Sequence, residues 1–306
     1  MDVESGVAPV AQPAARIKMR KPGTGRMIGD TRLGRWIRLY IPLLLLILVT
    51  LFPFYWMAIT SIKSASELFD FSQSPLWVRE PTLDWYRHLF TQTNFPRWAL
   101  NTAIVAVIST VISLFCSVLA GYSLARLRYR GADTIGWGIF VTYLVPPTLL
   151  FLPLTFIIRD LHLFNNLWAL ILTYPTFLIP FCTWMLMGFF KSIPRELEES
   201  ALVDGATRLQ AMVRIAIPLA LPGILAAGLF AFTLSWNEFL YALIFMNDSL
   251  VKTIPVGVTQ ELIHGDEFFW GELMAAALLG SVPVAVLYSF FVDYFVAGMT
   301  AGAVKG

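Results

Sequence analysis

The sequence predicts an all-α integral membrane protein with six transmembrane helices. Of its 306 residues, 57% are apolar and only 14% are charged, whereas a soluble domain carries about 25% charged residues. Too few polar side chains remain to cover a water-exposed globule. The long apolar stretches are expected to be helices, because a helix satisfies its own backbone hydrogen bonds in lipid.

Six apolar stretches reach the length of about 20 residues that a helix needs to cross a bilayer. We place them near 38–60, 102–124, 134–157, 167–189, 221–246 and 273–295. Prolines interrupt three of them and are expected to kink the helices at fixed places. They are Pro146 and Pro147 in the third span, Pro175 and Pro180 in the fourth and Pro283 in the sixth. Hinges and static kinks both fit these positions.

The distribution of Lys and Arg predicts the orientation. With the N-terminus inside, 16 of the 22 basic residues fall on the cytoplasmic side, and such an excess is typical of cytoplasmic loops. Both termini and the polar segment 196–218 are therefore expected in the cytoplasm. The two long loops, 61–101 and 247–272, are expected outside. The second is acidic, and each of them fits either a functional loop or a solvated connector.

No residue pattern indicates catalysis, metal binding or nucleic-acid binding. Cys116 and Cys182 lie in apolar runs, where buried thiols are the simplest reading, and the three histidines have no ligand spacing. The chain also lacks the Gly-rich phosphate loop that ends in Gly-Lys-Ser/Thr. Its net charge of +2 is too small to suggest nucleic acid. We expect no catalytic residue, no metal and no cofactor in this chain.

The polar segment 196–218 predicts two short helices joined by a glycine elbow. Pro194 suits a first helical turn, and the glutamates after it favour a helix N-terminus. Gly205 is expected to end that helix in the left-handed conformation. Thr207 and Gln210 have capping-box spacing for a second helix, which we expect Pro218 to end. Small residues around the elbow would let another protein approach closely.

This segment resembles the EAA loop of binding-protein-dependent ABC importer permeases, the MetI-like family. The resemblance is carried by Glu199, Ala201, Asp204, Gly205, Ala206, Ile215 and Pro218. Ser200 and Ile217 depart from the family pattern but nearly conserve volume. The resemblance implies that these seven residues couple the permease to a cytoplasmic ATPase, and that 97–295 is the permease core with its coupling loop at 191–218.

The rest of the chain divides around that core. A cytoplasmic tail, 1–35, precedes the first helix and outer loop, 36–96, and a second cytoplasmic tail, 296–306, ends the chain. Trp236-Asn237-Glu238-Phe239-Leu240 and the tail 300–306 are similar to the carbohydrate subset, particularly the smaller, MalG-type subunit of maltose-type pairs.

The family resemblance implies a heterodimer with a second permease, two copies of an ATPase subunit that binds ATP and Mg, and an extracytoplasmic solute-binding protein. It implies a location in the plasma membrane of a prokaryote. It further implies that an outer loop contacts the binding protein, and we expect this loop to be 247–272. The cargo is expected to be an oligo- or disaccharide; glycerol phosphate, a polyol or another small solute remains an alternative.

Four residues of the fifth span are candidates for the substrate pathway, because polar groups at bilayer depth normally serve a function. They are Trp236, Asn237, Glu238 and Tyr241. At helical spacing Asn237 and Tyr241 would share a face. Glu238 could instead cap or brace a neighbouring helix. An ion-coupled secondary transporter would require more buried ionisable groups, and a membrane scaffold or receptor would leave the polar elbow unexplained.

Overall fold

The computed structural model describes residues 36–301 except 71, 73, 128, 265 and 266. The side chains at 264, 267, 268 and 293–301 lie outside this description, as do the tail 1–35 and residues 302–306 of the second tail. Contacts divide the chain into two units, Met1–Pro53 and Phe54–Gly306. In the first unit, every described residue, 36–53, is exposed and belongs to one apolar helix.

Helices make up most of the described residues. The first transmembrane helix, α1, is Trp36–Ile62, and two short helices follow in the first outer loop, α2 (Ala65–Leu68) and α3 (Asp84–Thr91). The second span is α4, Phe95–Arg126. The third region contains α5 (Ala132–Leu144) and α6 (Pro147–Asp160), and the fourth contains α7 (Leu167–Thr173) and α8 (Pro175–Ser192).

The polar segment begins with α9, Glu196–Val203. After it come α10 (Arg208–Ala211), a π-helical turn at Met212–Ala216, α11 (Ile217–Trp236) and α12 (Leu240–Phe245). The second outer loop holds a 3-10 turn at Ser249–Val251, helix α13 (Ile254–Glu261) and a two-residue antiparallel pair, β1 (Ile263–His264) with β2 (Glu267–Phe268). The last helix is α14, Trp270–Ala301.

Within the described residues, the six predicted spans are all found as helix. Five helical segments are long and apolar enough to cross a bilayer alone, and α5 with α6 gives a sixth as a pair bent by 94°. The proline kink predicted there is a complete break. Val145 precedes a proline and has ψ 120°, because a residue in that position is disfavoured in the α conformation.

Pro218 does not end the second polar helix, contrary to the sequence prediction. The run from α10 through the π turn into α11 is continuous. Ile217 N–H donates to Met212 O, five residues back, so the hydrogen-bond ladder is already widened where Pro218 lacks a donor. The second helix of the polar segment therefore continues as helix into the fifth span.

The core lies where α4, α8 and α11 pack together. Small residues allow close contact: a Cβ on Gly121 of α4 would lie 3.2 Å from Leu186 Cβ, and one on Gly223 of α11 would lie 2.3 Å from the ring of Phe189. Interfaces between membrane helices commonly use small residues in this way. This packing holds the C-terminal end of α4 near the polar segment and the start of α11.

Candidate functional site

The elbow between α9 and α10 is a closed Schellman turn. Gly205 has φ +90°. Its N–H donates to Leu202 O at 3.1 Å, and the N–H of Ala206 donates to Ala201 O at 2.9 Å. These two bonds satisfy carbonyls that a helix C-terminus would leave free. The left-handed glycine predicted from the sequence is confirmed.

The capping box that starts α10 is also confirmed. Gln210 N–H donates to Thr207 Oγ1 at 3.2 Å, and Thr207 N–H donates to Gln210 Oε1 at 2.8 Å. The two ends of the elbow are thus satisfied by reciprocal local bonds.

Five of the seven predicted coupling residues line one hollow of about 350 Å³ at the elbow. They are Ala201, Asp204, Gly205, Ala206 and Ile215. Glu199 lies on the other side of α9, and Pro218 is exposed on the first turn of α11. Val203 and Leu209 beside the elbow are 86% and 65% exposed. Both elbow flanks therefore present an apolar side chain outward.

A buried charged cluster attaches α9 to the C-terminal end of α4. Glu198 Oε1 lies 2.9 Å from Arg126 Nε, and Glu198 Oε2 accepts a 2.8 Å hydrogen bond from the Tyr122 hydroxyl. The ion pair is not aligned as a hydrogen bond, since neither atom has a hydrogen-bond partner. A cavity of about 440 Å³ adjoins the cluster. Sequence reasoning missed it, although Tyr122 and Arg126 stand one helical turn apart at the end of a span.

The fifth span is broken between Trp236 and Leu240, so Asn237 and Tyr241 do not share a helix face. The predicted shared face is wrong because Glu238 caps a new helix there. Its Oε1 accepts from Tyr241 N–H at 2.8 Å, and its Oε2 accepts from Ala242 N–H at 3.2 Å. A carboxylate at a helix N-terminus accepts hydrogen bonds from free N–H groups and interacts favourably with the positive end of the helix dipole.

Glu238 also braces the fourth span. The Tyr174 hydroxyl, at the junction of α7 and α8, donates to Glu238 Oε2 at 2.8 Å. The Tyr241 hydroxyl donates to Pro147 O at 2.9 Å, at the break between α5 and α6. The helix breaks of the third, fourth and fifth regions therefore meet at one polar cluster, formed by Glu238, Tyr174 and Tyr241.

The four predicted pathway residues are divided between two places. Glu238 and Tyr241 belong to the buried polar cluster. Trp236 and Asn237 line a different cavity of about 550 Å³, which also contains the hydroxyl residues Thr259 and Ser281. Trp236 is fixed by a 3.0 Å hydrogen bond from its ring nitrogen to Gly280 O. The side-chain amide of Asn237 donates to Thr233 O at 2.9 Å.

The second outer loop is partly built into the core. Gly257 of α13 packs so closely on Trp98 that a Cβ there would lie 2.3 Å from the ring. Lys252 pairs with Glu261, and Glu272 pairs with His88 of the first outer loop at 2.8 Å. Asp266 and the side chain of Glu267, which contribute to the predicted acidic character, lie outside the described residues. No group of three potential metal ligands occurs among the residues that the structure describes.

These helices and their structured polar elbow define a multi-pass membrane protein with a folded polar segment between its fourth and fifth spans. The chain belongs to the family described as binding-protein-dependent transport system inner membrane components, whose model matches residues 117–301.

Its relatives are permease subunits of ABC transporters. It is 39% identical, over 87% of its length and 93% of the relative, to the sulfoquinovosyl glycerol transport system permease protein SmoH of Agrobacterium fabrum. It is 33% identical to the trehalose/maltose transport system permease protein MalG of Thermococcus litoralis, over 88% and 97% of the two chains.

The fold matches a chain of a bacterial ABC transporter that imports the acidic polysaccharide alginate. The TM-score is 0.73, with 87% of this chain and 98% of that chain covered at 23% identity. The MetI-like permease fold predicted from the sequence is therefore confirmed.

Proposed function

We propose that this chain is a transmembrane subunit of an ATP-driven importer for an oligo- or disaccharide, and that the elbow at 196–218 couples it to an ATPase. The observation that carries the coupling role is helical continuity. The elbow is locked by its Schellman turn and capping box, and α10 continues without interruption into the fifth span. A push on the elbow is therefore delivered to α11 as motion of one rigid helix.

The proposal includes three kinds of partner. We propose a second permease subunit, two copies of an ATPase that binds ATP and Mg, and an extracytoplasmic solute-binding protein. The exposed Val203 and Leu209 offer apolar contacts to an ATPase surface. The family description names binding-protein dependence. We place both termini in the cytoplasm, because the excess of Lys and Arg lies on that side.

A carbohydrate cargo is supported by the relatives and by one cavity. The named substrates of the two relatives are sulfoquinovosyl glycerol and trehalose or maltose. The cavity of Trp236 and Asn237 combines an aromatic ring with an amide and two hydroxyl residues, a combination that suits sugar faces and sugar hydroxyls. This cavity, rather than Glu238, is the part of the predicted pathway that we propose for sugar contact.

The experiment is reconstitution into proteoliposomes with a second permease, an ATPase and a solute-binding protein from the same genome. Uptake of radiolabelled trehalose, maltose and sulfoquinovosyl glycerol is measured with and without ATP, beside glycerol 3-phosphate. We expect ATP-dependent uptake of one of the sugars only when all partners are present. Uptake by the chain alone without ATP, or of glycerol 3-phosphate alone, would contradict the proposal.

A further inference from the structure

The second span, α4, is fastened at both ends to functional regions of the chain. It has 32 residues and so extends about 48 Å at 1.5 Å per residue. Its cytoplasmic end carries Tyr122 and Arg126, which hold α9. Its outer end is bonded to the second outer loop, near the 3-10 turn and α13. No other described helix has bonded contacts to both the polar elbow and this loop.

The cytoplasmic attachment is buried and specific. Glu198 and Arg126 are 8% and 9% exposed and Tyr122 is 6% exposed. Glu196 and Glu199 on the same helix point to solvent, so Glu198 alone of the three is turned inward. Arg126 Nη2 also donates to Ile193 O at 2.7 Å, and Arg195 Nη2 donates back to Ala125 O at 3.4 Å.

Breaking this attachment is unfavourable. Separating Glu198 from Arg126 without a new partner would leave two charges in a buried site. The surrounding carbonyls accept from arginines on both sides of the junction, so the contact resists rotation as well as separation. We therefore treat α9 and the cytoplasmic end of α4 as one mechanical unit.

The outer attachment consists of four hydrogen bonds between consecutive turns of α4 and residues 249–254. Trp98 Nε1 donates to Ser249 O at 2.7 Å. The Asn101 amide donates to Leu250 O and to Lys252 O, both at 2.9 Å, and Ile254 N–H donates to Thr102 Oγ1 at 2.8 Å. All three α4 side chains are buried. The loop is thereby held to α4 by side chains rather than by its own connections alone.

We propose that α4 is a transmission rod that links the ATPase-coupling elbow to the second outer loop, with Glu198 and Asn101 as the positioning residues at its two ends. Motion of α9 reaches the outer loop through α4, in parallel with its delivery to the fifth span through α10 and α11. The inference rests on the proposed coupling role of the elbow. It predicts that damage at either end weakens the same communication between the two faces of the membrane.

The test measures stimulation of ATP hydrolysis by sugar-loaded binding protein in the complete reconstituted transporter. Glu198→Gln and Asn101→Leu should each reduce the stimulation about fivefold or more while the ATPase subunit still co-purifies. The double variant should lose no more than the stronger single variant, because both act on one rod. Asp133→Asn is the control, since it removes an exposed carboxylate from a helix outside the elbow, and it should leave stimulation unchanged.

A double variant whose losses multiply would overturn the rod. The rod would also be overturned if Glu198→Gln left stimulation unchanged while Gly205→Val abolished uptake. The elbow would then couple to the ATPase without its attachment to α4. If Gly205→Val also has no effect, the proposed coupling function itself fails, and the two failures are distinguishable.

A second measurement applies if Glu198→Gln does not insert into the membrane. Leu127→Cys and Leu202→Cys, which line the cavity beside the cluster and leave Glu198, Tyr122 and Arg126 in place, are combined in a chain whose native Cys116 and Cys182 are replaced by Ser. The pair is joined with a bis-methanethiosulfonate reagent, whose disulfide links a reductant cleaves. Uptake should persist after linking, because α9 and α4 stay together throughout the cycle. Loss of uptake that is restored by reductant would show that they must separate, and would overturn the proposal.

Discussion

Gly205 shows how one residue sets the geometry of the elbow. A Cβ at this position would meet nothing within 4 Å, so space does not require glycine. The requirement is the φ of +90°, which side chains with a Cβ rarely adopt. The backbone angle in turn places Ala206 N–H on Ala201 O. A substitution therefore strains the turn without creating a clash.

We predict that Gly205→Val reduces ATP-dependent uptake about tenfold, because a left-handed non-glycine residue costs about 1–2 kcal/mol and about 1.4 kcal/mol is a factor of ten. Uptake and membrane level are measured together. Gly131→Val is the matched control: Gly131 has φ +92°, also with nothing near its Cβ, but lies outside the elbow. It should bear the same backbone strain with little loss of uptake. Equal losses in both variants would contradict a specific role for the elbow.

At the scale of elements, the breaks in the membrane helices are organised rather than scattered. Three breaks are connected by hydrogen bonds of the Tyr174 and Tyr241 hydroxyls and the Glu238 carboxylate. They are the break between α5 and α6, the one at Tyr174 and the one between α11 and α12. Each break frees backbone groups that lipid cannot satisfy. Here the Tyr241 hydroxyl satisfies Pro147 O on another helix, and the adjacent Glu238 carboxylate satisfies the N–H groups of Tyr241 and Ala242. Glu238 is thus explained by capping and bracing, which the sequence left as an alternative to sugar contact.

We predict that Glu238→Gln destabilises the purified protein by about 1–3 kcal/mol, because an amide nitrogen replaces an oxygen that accepts bonds from buried donors. The midpoint of thermal unfolding in detergent should fall, with sugar preference unchanged. Asn237→Ala is the control, because Asn237 is next to Glu238 in the sequence but its side chain is exposed. In this variant the midpoint should hardly move. A variant of Glu238 with normal stability but altered sugar selectivity would instead favour direct substrate contact.

At the scale of the whole molecule, orientation decides which surfaces meet which partners. Charge counting predicts the 129–131 loop and the elbow inside, and the first outer loop outside. The outer loops contain ion pairs: Lys63 with Glu67 is buried, and the buried Glu272 pairs with the exposed His88. The elbow remains exposed on its apolar side. The proposed ATPase and binding protein would therefore approach from opposite faces.

We predict that Ser74→Cys is labelled in intact cells by a membrane-impermeant thiol reagent, whereas Arg130→Cys is labelled only after the membrane is permeabilised. Both positions are exposed. The background chain carries Ser at 116 and 182, so that only the introduced thiol reacts. The parent without introduced cysteine is the control for background labelling. The reverse pattern would contradict the assigned orientation.

The sequence by itself determined the membrane class, the location of all six helical regions, the glycine turn and the capping box. Each follows from local rules: apolar length, the φ that glycine permits, and hydrogen bonds between residues three to five apart. Local rules also produced the errors. Helical spacing placed Asn237 and Tyr241 on one face, and proline was expected to stop the helix at 218.

Only the tertiary structure decided which partners the buried charges take, because those partners are far apart in sequence. Glu198 finds Arg126 and Tyr122 across more than 70 residues, and Glu238 finds Tyr174 across 64. The sequence does not distinguish a carboxylate that faces water from one that contacts sugar or a buried arginine. The packing of α4, α8 and α11 selects among these partners, since it fixes which side chains are withdrawn from solvent together.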